Sequence, residues 1–411
     1  MTTSNDTRRV VVTGLGAVTP LGMTANETWQ GMRGGRCAIG PVTGFDLDDL
    51  YIHIAAEVKD FKPRDHLTNK LILIADRYSQ FAGIAAHEAL NDAGIEIPLG
   101  DDGHRAASII GSGAGGLTTM DTAYRDMYEK GKKATHPFTL LRFIGSSAAS
   151  HVGIEAGIKG PTFATCSACA TAAHAIGILY DYIRHGISDF GVAGASEAAI
   201  NYGSFRAWQA MRVLSPDGCF PFSKNRNGTT LGEGAGVLML ESLEHAQARG
   251  AKIYAEMVGF GMTSDAEDMI NPSCDGPMNA MQIALDDAGL PASEIDYLNA
   301  HGTATTVNDV NETRAIKGVF KDHAEKVAIS STKAAHGHLL GAGGAVEAVA
   351  CIKAIEENYV PPTINFVDPD PECDLDYVPN EGRAKDVTYA MSNSFAFGGL
   401  NAVTIFGPPP A

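Results

Sequence analysis

Cys169 stands at the centre of a run whose residue types could do covalent chemistry. Gly160-Pro161-Thr162-Phe163-Ala164-Thr165 reads as an approach strand. Ala170-Thr171-Ala172-Ala173-His174-Ala175-Ile176-Gly177 is small and helix-compatible, and His174 inside it reads as structural. Cys169 thus falls at a strand-to-helix turn, at a helix N-terminus. Unpaired amides and the helix dipole stabilise a thiolate there, and the thiolate is the nucleophilic form. The competing reading is a small buried hydrophobe, the commoner fate of cysteine. Cys166-Ser167-Ala168-Cys169 has no second ligand pair at zinc spacing, so no metal is expected. The small βαβ context of a thioredoxin-like redox site is missing too.

Two loops bring histidines. Asn299-Ala300-His301-Gly302-Thr303-Ala304-Thr305 puts one at a strand end, with two threonines behind it. Ser330 to Ala342 is a second polar loop carrying Lys333, His336 and His338, followed by a small-residue helix with Glu347. His336 is expected to face solvent or to stand behind His338. Asn393-Ser394-Phe395-Ala396-Phe397-Gly398-Gly399 is a glycine-rich turn with two phenylalanines. Each loop alone is ordinary turn chemistry. Together they supply one cysteine and two histidines at strand ends, and strand ends converge on one crevice in open α/β sheets.

The elements that must position these groups alternate strand and helix, which predicts parallel sheets with covered faces. The chain opens as strand Val10–Val12 and a Thr13-Gly14-Leu15-Gly16 turn. No third glycine and no acid at the following strand end support a dinucleotide site. Ala89-Leu90-Asn91-Asp92-Ala93-Gly94-Ile95 is echoed by Ala284-Leu285-Asp286-Asp287-Ala288-Gly289-Leu290, about half a chain later. Each echo reads as a helix end closed by glycine, then a loop, an apolar strand and a glycine turn. Duplication is the better reading. It divides the chain into a half over residues 1–253, carrying the cysteine, and a half over 254–411, carrying both histidines.

The 411 residues are 45% hydrophobic and 19% charged, an ordinary globular composition, and the net charge is −17. That charge argues against nucleic acid or an anionic membrane as the main partner. Residues 1–9 are polar and Val10–Val12 is too short for a signal core or a membrane span, so no targeting segment is expected. Seven cysteines, an odd number, fit a reducing cytoplasm.

These motifs, taken together, resemble the β-ketoacyl-acyl-carrier-protein synthases of the elongating type II kind, in the thiolase-like superfamily. The resemblance runs from Arg9-Val10-Val11-Val12-Thr13-Gly14 to the Phe395-Ala396-Phe397-Gly398-Gly399 loop. It implies a thiolase-like fold, with two duplicated α/β halves in a five-layered αβαβα arrangement. It also implies decarboxylative condensation of a malonyl-carrier protein with an acyl chain held on Cys169. By motif, His301 and His338 complete a Cys-His-His set, with Lys333 and Glu347 as supporting charges. Thr303 and Thr305 correspond to threonines that contact pantetheine, and Phe397 to a gating phenylalanine beside Phe395. The amides of Cys169 and Phe397 correspond to the oxyanion hole. No metal or organic cofactor is implied, since acyl groups arrive on the phosphopantetheine of the carrier protein.

Three departures from the family pattern bear on specificity. Ala396 and Leu400 replace a glycine and a threonine of the gating loop, which narrows backbone freedom at Ala396. Ala114 stands where fatty-acid members carry a larger aliphatic residue in the acyl pocket, which Trp208 also shapes. The basic patch for the acidic carrier protein is thin: Lys70 keeps its charge, Leu73 and Ile74 are aliphatic, and Lys132, Lys133 and Arg212 remain. These features lean toward nodulation-type synthases and those of polyene or polyketide pathways. The family pairs as dimers, so a homodimer is expected, with a heterodimer containing a chain-length-factor subunit as the alternative. A role as that idle subunit is disfavoured by the intact Cys169, His301 and His338. A thiolase would need a second cysteine where Phe395-Ala396-Phe397-Gly398 stands.

Overall fold

The computed structural model describes residues 7–410. The first half supplies strands β1 (Val10–Val18), β2 (Ala106–Gly111), β3 (Thr162–Phe163), β4 (Phe190–Glu197) and β5 (Gly234–Ser242). The second supplies β6 (Ala255–Ser264), β7 (Ile295–Asn299), β8 (Ala328–Ser330), β9 (Tyr389–Ala396) and β10 (Leu400–Gly407). They join in one ten-stranded sheet, β8-β7-β9-β10-β6-β1-β5-β4-β2-β3. Numbered within its own half, each set of strands runs 3-2-4-5-1 from outer edge to centre. The two first strands meet antiparallel, Val10 opposite Met257 and Val12 opposite Ala255. Duplication is therefore written in the topology.

The sheet is mixed, not parallel as the alternation suggested. In each half the second strand is parallel to its two neighbours, and the fifth is antiparallel to both of its own. In the second half the cause is local. The chain reverses within Phe397–Gly399, so β9 and β10 form a hairpin, and a hairpin is antiparallel.

The glycines of β1 do not turn the chain either; the strand continues through Gly14 and Gly16, with its register shifted between Val12 and Gly14. Helix α1 (Arg77–Asp92) presses on them. A Cβ at Gly14 would lie 2.0 Å from the Ala89 carbonyl oxygen, and one at Gly16 1.9 Å from that of Ala85. Three further helices matter for the site and one for the repeat: α2 (Thr171–Arg184), α3 (Asp275–Ala288), α4 (Asn308–Phe320) and α5 (Gly343–Glu357). The repeat is kept at this contact. A Cβ at Gly259 or Gly261 of β6 would stand 2.3 Å from the Ala284 oxygen or 2.2 Å from the Ala280 oxygen of α3. Past the echoed helix ends, Gly94 (φ 69°) and Gly289 (φ 65°) both take the left-handed conformation.

Helix α1 covers the outer face of the first half and α3 that of the second, with α4 packed against α3. Helices α2 and α5 lie between the two five-stranded halves of the sheet and touch both, so each half counts as a layer. Twelve of the fifteen residues of α5 are buried, which only an inner layer allows. The order helix, sheet, helix, sheet, helix is the arrangement the resemblance implies. Among the described residues no helix is long and apolar enough to cross a membrane.

Because the glycine contacts are backbone to backbone, Gly16→Ala and Gly261→Ala should each lower stability by about 1–3 kcal/mol or more. The exposed Gly145, whose Cβ would meet nothing within 4 Å, should tolerate alanine within about 0.5 kcal/mol. Urea midpoints of the three variants check this.

Candidate active site

Cys169 sits in a short 3-10 turn, Ala168–Ala170, that runs directly into α2. Ala168 holds φ at 47°, a left-handed value that costs a non-glycine residue energy. Side chains pin the turn. Thr171 Oγ1 donates to the Ala168 oxygen at 2.7 Å and accepts from Ser167 N–H at 2.9 Å. The result is a buried thiol, 6% exposed, at a helix start.

The second half brings the histidines to it. His338 Nε2 lies 3.1 Å from Cys169 Sγ. Leu340 N–H donates to His338 Nδ1 at 3.2 Å, so the neutral ring carries its proton on Nε2, facing the sulfur. Leu340 itself is left-handed (φ 49°), which folds its N–H back onto the ring. His301 follows β7, and its ring centroid lies 5.6 Å from that of His338. Its loop is held by a residue the sequence reading missed: Glu312 on α4 accepts from the N–H groups of His301 and Gly302, each at 2.8 Å. His301 Nδ1 is buried with no partner among the described residues, leaving it free for a ligand. The Cys169, His301 and His338 ligand atoms all lie within 4.8 Å of one another. That spacing would suit a metal ion, but the proton on His338 Nε2 occupies the lone pair a metal would need.

Lys333 and Glu347 form a buried ion pair, each 1% exposed. Burial is the main force on the site's ionisation. It holds His301 and His338 well below the usual histidine value, and the nearby Lys333 charge adds to this. Both rings are therefore neutral near pH 7. Burial also pushes the Cys169 thiol up to about 12, against the Lys333 charge, which lowers it. The helix start favours a thiolate, but the resting group is a thiol. In the unfolded chain both histidines would take protons below their ordinary value of 6.5, whereas the folded rings would not. Their contribution to stability is thus full above that pH and is lost as pH falls below it.

A cavity reaches Cys169, His301 and His338 from the surface. Thr303 and Thr305 line it, their hydroxyls 2.9 Å apart, as do Phe395, Phe397, Trp208 and Arg212. Trp208 and Phe397 face one another at 6.0 Å. Gly398 (φ 83°) and Gly399 (φ 69°) make the turn beside Phe397. Ala396, by contrast, is the last paired residue of β9, opposite Leu400.

Other expected residues lie elsewhere. Ala114 does not line this cavity; its N–H donates to Glu197 at 3.2 Å. Lys70, Lys132 and Lys133 do not line it either, and Lys132 is paired with Asp126 at 2.6 Å. Leu73 is 48% exposed, whereas Ile74 packs on the first-half core. His336 does not face solvent. It is fully buried, with Nε2 3.1 Å from Thr332 Oγ1. Missed besides Glu312 were Asp309, which accepts from Ala304 N–H, and Arg226, which donates to the Thr305 and Thr306 oxygens. The one sequence signal was two acids three residues apart on a helix that directly follows the His301 loop.

Two family models match the chain: "Beta-ketoacyl synthase, N-terminal domain" over residues 7–246 and "Beta-ketoacyl synthase, C-terminal domain" over residues 254–367. "Nodulation protein E" of Rhizobium meliloti (strain 1021) is 47% identical over 97% of this chain and 99% of its own. "3-oxoacyl-[acyl-carrier-protein] synthase 2" of Staphylococcus aureus (strain COL) is 44% identical over 97% and 98%. Among solved structures, "The ishigamide ketosynthase/chain length factor" superposes with a TM-score of 0.94 at 36% identity, over 98% of this chain and 100% of that one. A type II polyketide ketosynthase in complex with its acyl-carrier protein gives 0.89 at 33% identity, over 98% and 100%.

The buried pair makes a quantitative prediction. Lys333→Ala leaves Glu347 charged and alone, so stability should fall by about 3–5 kcal/mol. Lys333→Met combined with Glu347→Leu should recover most of the loss, as denaturant unfolding would show.

Proposed function

The chain belongs to the β-ketoacyl synthase family, and on that premise we propose how its own residues carry the condensation. An acyl chain arrives as a thioester on the phosphopantetheine arm of an acyl carrier protein. Cys169 Sγ attacks the thioester carbonyl, and the amides of Cys169 and Phe397 hold the tetrahedral oxyanion. The carrier thiol leaves with the proton that the cysteine gave up. A malonyl-carrier protein then enters along Thr303 and Thr305. Its thioester oxygen accepts hydrogen bonds from His301 and His338. The C–C bond to the carboxylate breaks, carbon dioxide departs, and the electron pair stays as an enolate on that oxygen. The enolate carbon attacks the acyl carbonyl on Cys169, and the C–S bond breaks with its electron pair left on sulfur. The thiolate takes a proton from water to restore the thiol, and the β-ketoacyl chain leaves on its carrier.

The observation that carries this reading is the His338 tautomer, with its Nε2 proton turned toward Cys169. A neutral imidazole can give that hydrogen bond without carrying a full charge, and a dry pocket makes the bond stronger. Burial keeps both rings neutral, and the fixed charge of Lys333, with Glu347 as its counterion, adds to that effect. No metal or organic cofactor enters any step. The chain acts as a homodimer, the alternative being a heterodimer with a chain-length-factor-like subunit. All seven thiols are free, which supports the cytoplasm as its compartment. Both a nodulation protein E and a 3-oxoacyl-[acyl-carrier-protein] synthase 2 are similar in sequence, and Ala114, which lies off the cavity, does not select an acyl chain between them.

Intact mass spectrometry tests the roles. Cys169→Ala should give no acyl adduct with acyl-carrier protein, whereas His301→Ala and His338→Ala should keep the adduct and stop carbon dioxide release from malonyl-carrier protein. An adduct on Cys169→Ala overturns the assignment. Docking is tested by salt. If Lys70, Lys132, Lys133 and Arg212 hold the carrier, affinity should fall at least about tenfold between low and high salt. A flat response would move docking to apolar surface such as Leu73.

A further inference from the structure

Glu197 ends β4 and has no exposed surface. Four donors converge on its carboxylate. Three come from one loop of the first half: Ser112 Oγ at 2.9 Å, Gly113 N–H at 2.8 Å and Ala114 N–H at 3.2 Å. The fourth is Gly341 N–H of the second half, at 3.1 Å. Neither family motif nor cavity lining accounts for this group.

Its partners lead to the reacting atoms on both sides. Gly113 packs on Ala168, the residue before Cys169; a Cβ there would lie 3.6 Å from the Ala168 oxygen. Gly341 follows Leu340, whose N–H fixes the Nδ1 of His338. The approach requires both glycines. A Cβ at Gly341 would stand 2.7 Å from Gly113 N and 2.8 Å from Glu197 Oε2, and one at Gly113 would also stand 2.8 Å from that oxygen. Two loops from different halves have thus given up side chains around one carboxylate.

We propose that Glu197 is a positioning residue that ties the Cys169 elbow to the His338 turn and keeps the two in register for the reaction. This rests on the role given to His338 above. The carboxylate has a second effect, because its charge opposes formation of the Cys169 thiolate. Removing that charge without changing the shape therefore has two consequences of opposite sign. The turn loosens, because an amide NH2 would face the N–H donors of both Gly113 and Gly341 or, with the amide turned over, that of Ala114. The thiol, in contrast, ionises more readily.

The test uses the full chain and Glu197→Gln, assayed at about pH 8. The kcat for decarboxylation of malonyl-carrier protein should fall about tenfold or more, with KM within about twofold. Iodoacetamide alkylation at Cys169, read by peptide mass, should become about twofold faster or more. Loosening alone can speed alkylation by exposing the buried thiol, so the gain is read against Glu197→Asp, which loosens the turn but keeps the charge and should show no such gain. Unchanged decarboxylation, or a slowing of both readings together, overturns the proposal. His338→Ala runs alongside. If it still releases carbon dioxide, the reading of His338 fails. If it is inactive while Glu197→Gln is normal, only the role of Glu197 fails. Should Glu197→Gln not fold, Glu197→Asp replaces it. That variant keeps the charge but is one methylene too short to bridge both loops. It should lower kcat similarly with no gain in alkylation, and wild-type kcat would overturn the proposal.

Discussion

The starts of α2 and α5 lie almost backbone to backbone: a Cβ at Gly344 would stand 3.2 Å from Ala173 N. Everything in the site depends on this approach. One helix start carries Cys169, and the turn leading into the other carries His338. The small residues Ala170, Ala172, Ala173, Gly343, Gly344 and Ala345 are what let the two ends meet. Any bulk there would separate a nucleophile of the first half from a donor of the second. The antiparallel joint of β1 and β6 sets the same constraint at larger scale, since it fixes how the halves face each other. Neither half holds the site alone.

Burial then decides what these groups can be. The histidines are kept neutral, the thiol is kept protonated, and one lysine charge is held beside them by Glu347. Water is replaced by fixed donors, which suits a reaction that builds negative charge on a thioester oxygen. The acids nearby do positional work. Glu312 and Glu197 accept backbone N–H groups, and burial pushes each carboxyl up to about 7. Such groups hold loops that strand ends alone would leave mobile.

Much of this was legible in the sequence. Cys169, His301 and His338 could be found because each sits in a short motif at a strand end. The Ala89 and Ala284 echoes disclosed the duplication because glycine-closed helix ends leave a local signature. Gly14 and Gly16 misled, since a glycine required by a packed helix reads the same as one required by a turn. The sequence leaves His336 between solvent and a place behind His338, because burial is a tertiary fact and its motif is identical either way; the structure buries it. Glu197 was not visible, because its partners lie on distant loops and are mostly backbone amides, which have no sequence signature. Glu312 left only the weak signal of an acid three residues after Asp309 on the helix behind the His301 loop. Ala114 could be matched to a family position, but nothing in its own neighbourhood says which wall of which pocket it joins.

The central claim is that two neutral histidines from one half work against a thiol from the other. Nitrogen-15 chemical shifts of the ring of His338 test it most directly, since they report which nitrogen holds the proton. Protonated Nε2, bare Nδ1 and no titration between about pH 5.5 and about pH 8 are the expected result. A proton on Nδ1, or a midpoint near the ordinary histidine value of 6.5, would contradict it.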